Sequence, residues 1–165
     1  RDFCLSRGLG DVYKRQVGTC VYIVENEMVF SYLMEQVQGK NVSLLCTSGQ
    51  PRYAALKLIS LIVQSGIPIY YSGGLDPDGI GIADRLWQRF GNRIQFFGMS
   101  PEDYRNSLSK EVFGENGRKK LEHIWHPLLR ETAELVRKTG KAGYQENTLK
   151  ELSEKLVGCD QNQNL

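Results

Sequence analysis

Residues 21–27 read Val-Tyr-Ile-Val-Glu-Asn-Glu, so that four apolar residues are followed directly by three polar ones. A short apolar run rich in β-branched residues is typical of a parallel strand that is buried on both faces. Three further runs of this kind lie at residues 42–46, 67–71 and 94–97. We therefore predict four parallel strands.

The segments between these runs show the spacing of amphipathic helices. Val29, Leu33 and Val37 recur at helical intervals, and residues 54–63 and 80–90 carry similar apolar stripes. Strands that alternate with helices indicate an open parallel sheet with right-handed crossovers. The predicted fold class is α/β, with a Rossmann-like sheet of about four strands and flanking helices.

The sequence after residue 100 predicts helices and no further strand. An apolar stripe over residues 121–136 includes Trp125, which is predicted to lie in the core, and Pro127 either kinks this helix or restarts it. A last helix is predicted at residues 145–156. Its opening segment, 144–146, is interpreted as an exposed first helical turn, with a partner interface as the alternative.

These patterns divide the chain into an α/β core at residues 17–100, a C-terminal helical extension at 101–157 and a frayed tail at 158–165. Residues 6–16 resemble a translated sequencing adapter, because back-translation of this peptide can give the DNA sequence of that adapter. We expect residues 1–16 to be non-native, and the chain to be a metagenomic fragment truncated near Val17. A genuine basic N-terminal arm is the alternative.

Composition excludes several classes of protein. The 165 residues, 41% of them hydrophobic, suit one ordinary domain, and the longest apolar stretch is far shorter than a membrane span. Residues 1–16 hold four of the 21 basic and two of the 19 acidic residues, so the rest of the chain has no net charge. Four cysteines without a Cys-x-x-Cys spacing favour a reducing cytoplasm.

Polar segments follow three of the predicted strands, where ligands bind in open parallel sheets. Glu25 follows the first strand, and Asp76 and Asp78 follow the third. We expect these carboxylates to converge on a hard cation such as Mg²⁺. The alternative is that Asp76 only caps the next helix, with Gly73, Gly74 and Gly79 shaping the turn. Thr47, Ser48 and Gly49, after the second strand, form either a helix cap or a phosphate-binding amide cluster.

Three of these features together resemble a known family. They are the Glu that ends the first strand, Thr-Ser-Gly-Gln-Pro at residues 47–51, and Gly-x-x-Asp-x-x-Gly at residues 73–79. They resemble a Toprim domain, the fold shared by topoisomerases and primases. The similarity is closer to a bacterial Toprim-like domain of unknown function, found at the C-terminus of larger proteins, that includes the nuclease subunits of Wadjet-type plasmid-defence systems. It spans residues 19–156.

The resemblance implies Mg²⁺- or Mn²⁺-dependent cleavage of DNA within a larger DNA-processing or plasmid-defence protein, and an SMC-like ATPase complex as partner. It implies that Glu25 acts as a general acid/base or as a metal-linked carboxylate. It also implies that the acidic residues of the loop after the third strand bind the metal. Toprim domains carry Asp-x-Asp there, and Gly74 stands at the first of these aspartates. The alternatives are a degenerate, non-catalytic module for DNA or partner binding, and an unrelated flavodoxin-like or nucleotide-binding module. No Gly-x-Gly-x-x-Gly turn follows the first strand, which argues against a dinucleotide.

Overall fold

A four-stranded parallel sheet forms the centre of the protein. The structure is a computed structural model that describes residues 20–38, 40 and 42–161, and it describes side chains as far as residue 156. The order is β2-β1-β3-β4, and β1 pairs with β2 and β3 over its whole length. The strands are β1 (Val21–Val24), β2 (Ser43–Cys46), β3 (Ile69–Ser72) and β4 (Ile94–Phe96). The predicted parallel sheet is confirmed, whereas residues 1–16 lie outside the described residues.

Three helices cross between these strands and cover both faces of the sheet. They are α1 (Glu27–Gln36), α2 (Tyr53–Gln64) and α3 (Pro77–Phe90). The side chains of Val21 and Ile23 pack in one hydrophobic cluster, and those of Tyr22 and Val24 pack in the other. Because β1 is buried on both faces, its sequence is a continuous apolar run.

The second half of the chain adds four helices and two strands. They are α4 (Pro101–Ser107), β5 (Leu108–Val112), α5 (Glu115–Lys120), α6 (Pro127–Thr139), β6 (Lys141–Gly143) and α7 (Leu149–Gln161), and 3₁₀ turns span Gly91–Arg93 and Gln145–Thr148. β5 pairs antiparallel with β6, so the prediction that no strand follows residue 100 was wrong. β5 is mostly exposed and therefore lacks the apolar run that marks a buried strand. The last helix continues into the segment predicted as a tail.

Pro127 starts a helix rather than kinking one. It occupies the first turn of α6, where its missing N–H costs no hydrogen bond. Trp125 therefore lies before the helix and is 68% exposed, which overturns its predicted core position. The turn is held by the buried Asp84 carboxylate, which accepts hydrogen bonds from the amides of Trp125 and His126 at 3.0 and 2.8 Å.

None of the helices in the described ranges is both long enough and apolar enough to cross a bilayer.

Candidate active site

A polar cleft of about 490 Å³ opens where the polar segments after β1, β2 and β3 meet. Glu25 and Asp76 both line it, as the convergence of parallel strand ends requires. Its walls also include Ser48 and Gly49 from the second loop and residues 144–146 from the distant C-terminal part of the chain. The cleft thus joins four separate segments of the sequence.

Glu25 is fixed in the cleft by backbone and side-chain hydrogen bonds. Its amide donates to the Ser72 carbonyl at 3.1 Å, and its carbonyl accepts from the Gly49 amide at 2.9 Å. Its Oε2 accepts from the Gly74 amide at 3.1 Å. A Cβ atom on Gly73 would lie 2.7 Å from this Oε2, so only glycine leaves space for the carboxylate there.

The surroundings of Glu25 disfavour its charged form. Burial raises the pKa of its carboxyl group, and the negative charges of Asp76, Asp78 and Glu146 raise it further. The hydrogen bond from the Gly74 amide lowers the pKa and only partly opposes these effects. Glu25 therefore keeps its proton to a higher pH than an exposed glutamate does.

The raised pKa predicts that Glu25 reduces the stability of the metal-free protein at neutral pH. The folded chain binds this proton more tightly than the unfolded chain, so stability falls as pH rises from the ordinary value of 4.5 through the folded pKa. In EDTA at about pH 8, Glu25→Gln should melt at a higher temperature than the wild type, and the difference should shrink towards about pH 4. A lower melting temperature for the variant at about pH 8 would contradict this expectation.

A buried hydroxyl, that of Tyr71, lies near the Glu25 carboxylate. The hypothetical Cβ of Gly73 would be 3.3 Å from the Tyr71 hydroxyl, which places that hydroxyl close to the same carboxylate. Burial and then the charge of Glu25 raise the pKa of Tyr71 well above its ordinary value. Tyr71 is therefore a neutral hydroxyl near the Glu25 carboxylate.

Asp76 uses its two carboxylate oxygens differently. Oδ1 caps α3, accepting hydrogen bonds from the amides of Asp78 at 2.8 Å and Gly79 at 2.9 Å. Oδ2 lies 3.0 Å from where a Cβ of residue 74 would stand, and no hydrogen bond reaches it from the residues described. Capping and a role in the cleft are therefore compatible in one side chain.

Asp78 does not line the cleft. Its side chain is 74% exposed, and it forms an ion pair of 2.6 Å with Lys120 of α5. The structure thus brings Glu25 and Asp76 together and places Asp78 outside, where its charge still acts on Glu25.

The loop after β2 is held against β1 by its own amides. The Thr47 amide donates to the Val24 carbonyl at 3.0 Å, and the Gly49 amide is bound to Glu25 as described above. Ser48 has φ of 54° and Gly49 has φ of 86°, and the Ser48 hydroxyl donates to the Glu27 carboxylate. The helix-cap interpretation was wrong, because the N-cap residue of α2 is Arg52. Ser48 and Gly49 remain on the cleft wall.

Residues 144–146 are the part of the site that sequence reasoning missed. Leu75 and Gly143 exchange two backbone hydrogen bonds of 2.9 Å, which tie this segment to the loop after β3. Gln145 is only 3% exposed, and its Nε2 donates to Ser72 Oγ at 2.7 Å. The prediction of an exposed helical turn was therefore wrong for Gln145, and the one sequence signal for this segment was the extent of the family resemblance.

A protein-family model described as "Protein of unknown function C-terminus (DUF2399)" matches residues 6–156. No curated protein matches the chain. The matched range starts inside the segment interpreted as adapter-derived, and the adapter origin stays a prediction. The Toprim and Wadjet relations likewise stay interpretations of the sequence motifs.

Proposed function

The chain belongs to the DUF2399 family of C-terminal domains, and we propose that it cleaves phosphodiester bonds in DNA with the help of Mg²⁺ or Mn²⁺. The observation that supports this proposal is the placement of Glu25 and Asp76, from two different loops, on one polar cleft. DNA contacts, an SMC-like ATPase partner, a role in plasmid defence and a cytoplasmic location are proposed on the resemblance alone.

The donor atoms in the cleft suit a hard divalent cation. Mg²⁺ prefers oxygen ligands and usually takes one or two protein carboxylates while it keeps several waters. Asp76 Oδ2 receives no hydrogen bond from the described residues, and Glu25 offers a second carboxylate. Gln145 Oε1 is buried and lacks a hydrogen-bond partner within the described ranges. These oxygen atoms are of the kind that would bind the Mg²⁺ or Mn²⁺ ion in the proposed function.

The cation, when bound, would stabilise the charge that develops on a scissile phosphate. Glu25 and Asp76 would hold it, with Asp78 at the outer edge of the same loop. The raised pKa of Glu25 brings its proton exchange closer to neutral pH, which suits a general acid or base. Ser48 and Gly49 line the cleft, where Ser48 would contact the phosphate. The amides of Thr47 and Gly49 are already bound to the carbonyls of Val24 and Glu25.

A second candidate function is binding of DNA or a protein partner without catalysis. It is favoured by a specific observation: over the described ranges, no three His, Cys, Asp or Glu side chains are grouped closely enough to hold a metal ion. Gly74, where Toprim domains carry an aspartate, agrees with a weakened site.

Nicking of supercoiled plasmid DNA by the purified chain distinguishes the two functions. Cleavage that requires Mg²⁺ or Mn²⁺ and stops in EDTA is the expected result. DNA binding without cleavage at any concentration of either cation would favour the second candidate and contradict the first.

Gly74→Asp should strengthen the site. The Cβ of a side chain at this position would lie 3.0 Å from Asp76 Oδ2, so the substitution would add a carboxylate close to the one already there. We expect the affinity for Mn²⁺, measured by electron paramagnetic resonance, to rise about 10-fold, similar in size to the smallest losses seen when a group around a metal site is mutated.

Gly74→Asn is the matched control for this gain, because it adds nearly the same volume without the charge. A gain in Mn²⁺ affinity that Gly74→Asn reproduces, or no gain from Gly74→Asp, would show that position 74 does not adjoin a cation site.

A further inference from the structure

The cleft carries an unbalanced negative charge. Four of its lining residues are acidic, namely Glu25, Glu27, Asp76 and Glu146, and no lysine, arginine or histidine is among the described residues that line it. Carboxylates brought together without a cation repel one another, so this arrangement is destabilising until a positive charge joins it.

Glu146 is held in this cleft by a hydrogen bond across 120 residues of sequence. Asn26 Nδ2 donates to Glu146 Oε1 at 2.6 Å. The orientation of the Asn26 amide is set independently, because its Oδ1 accepts the Met28 amide at 2.7 Å as the N-cap of α1. The nitrogen must therefore face Glu146. One carboxylate oxygen of Glu146 is fixed by this bond, and the other takes no hydrogen bond from the described residues.

Gln145, beside Glu146, supplies an independent sign of a ligand. It is 97% buried, and its Nε2 is bound to Ser72, as described above. Gln145 is one of the residues that line the cleft, and its Oε1 is buried without a hydrogen-bond partner in the described part of the chain. A buried amide oxygen left without a donor loses free energy unless a ligand, a water or an ion satisfies it.

We propose that Glu146 and Gln145 belong to the cation site, with Glu146 as a positioning residue that binds the water shell of a divalent cation held by Glu25 and Asp76. This inference rests on the proposed function, since it assigns two further residues to the same site. Contact through water agrees with the absence, among the described residues, of three acidic side chains close enough to bind one ion directly. The C-terminal segment then completes the site instead of only covering it.

Glu146→Gln tests the proposal in the full chain with Mn²⁺ alone as the probe. Glutamine retains an oxygen that accepts from Asn26, so the substitution removes the charge and keeps the contact. We expect the Mn²⁺ affinity, measured by electron paramagnetic resonance and calorimetry, to fall about 10-fold, as it does when groups around a metal's direct ligands are removed. The melting temperature in EDTA should not fall. Glu146→Asp, which retains the charge on a shorter side chain, should recover part of the affinity.

Glu151→Gln is the matched control, because Glu151 is exposed on α7 and lies outside the cleft. Its Mn²⁺ affinity should equal that of the wild type. If Glu146→Gln leaves the affinity unchanged while Glu25→Gln lowers it, Glu146 is not part of the site and the proposed function stands. A melting temperature lowered in EDTA with unchanged affinity would give Glu146 a structural role only and would also overturn the inference. If the wild type binds no Mn²⁺, the proposed function fails as well.

Discussion

Glu25→Gln is expected to lower the rate of Mg²⁺-dependent plasmid nicking by about 10²- to 10⁴-fold, the range typical of losing a general acid or base. The substitution removes the negative charge and the exchangeable proton, while the glutamine oxygen can still accept from the Gly74 amide. Asp76→Asn should reduce the rate to a similar extent, because Oδ1 can go on capping α3 while the charge is lost.

The rates are measured from the conversion of supercoiled to nicked plasmid over a series of Mg²⁺ concentrations. Glu131→Gln, which removes an exposed carboxylate from α6, is the control and should retain the wild-type rate. Nicking that survives in both cleft variants would show that any activity in the preparation comes from elsewhere, and the proposed site would be abandoned.

Gly79→Ala is expected to give the largest loss of stability, about 3 kcal/mol, at the upper end of the cost of overpacking a close contact. A Cβ at this position would lie 2.2 Å from the Gly74 carbonyl oxygen, which is backbone and has little freedom to move. The first turn of α3 would be pushed away from the loop that carries Asp76. Chemical denaturation measures the loss, which corresponds to about 10 °C in melting temperature for a chain of this size.

Gly81→Ala, two residues further along α3, is the matched control. Its new Cβ would lie 3.2 Å from the end of the Arg85 side chain, which can rotate away. Alanine within a helix is better than glycine by about 0.5–1 kcal/mol, so this variant should be slightly more stable than the wild type. Equal stabilities for Gly79→Ala and the wild type would mean that the helix start can shift freely.

The parallel sheet and its crossover helices were predictable because their buried faces require apolar residues at regular positions in the sequence. Strands covered on both faces need continuous apolar runs, and the four runs coincide with β1 to β4 within a few residues. β5 and β6 were missed for the opposite reason. They pair with each other outside the central sheet. β5 is mostly exposed, with residues such as Lys110 and Glu111 facing solvent, and β6 has only three residues, so neither apolar continuity nor a period marks them.

Half of the candidate site was predictable by the same logic. Glu25 and Asp76 follow strands whose carboxyl ends must meet, so their convergence follows from the topology. Gln145 and Glu146 follow no strand of the central sheet, and they reach the cleft only because β6 ends next to Leu75. A contact between residues 120 positions apart, such as that of Asn26 with Glu146, produces no periodic pattern and cannot be predicted from a single sequence. Asp78 was expected to converge with Glu25 and Asp76, but it forms an ion pair with Lys120 instead. This ion pair depends on where α5 packs, which the sequence does not indicate.

The backbone bonds between Leu75 and Gly143 have a consequence for dissecting this protein into fragments. A gene fragment that ends after β4 encodes the whole central sheet and the loops that carry Glu25 and Asp76. It would therefore look suitable for expression as a separate domain. It would nevertheless lack the strand that closes the third loop and the amide buried against Ser72. Inactivity of such a piece would say nothing about the catalytic competence of the intact chain, so expression boundaries should extend beyond α7.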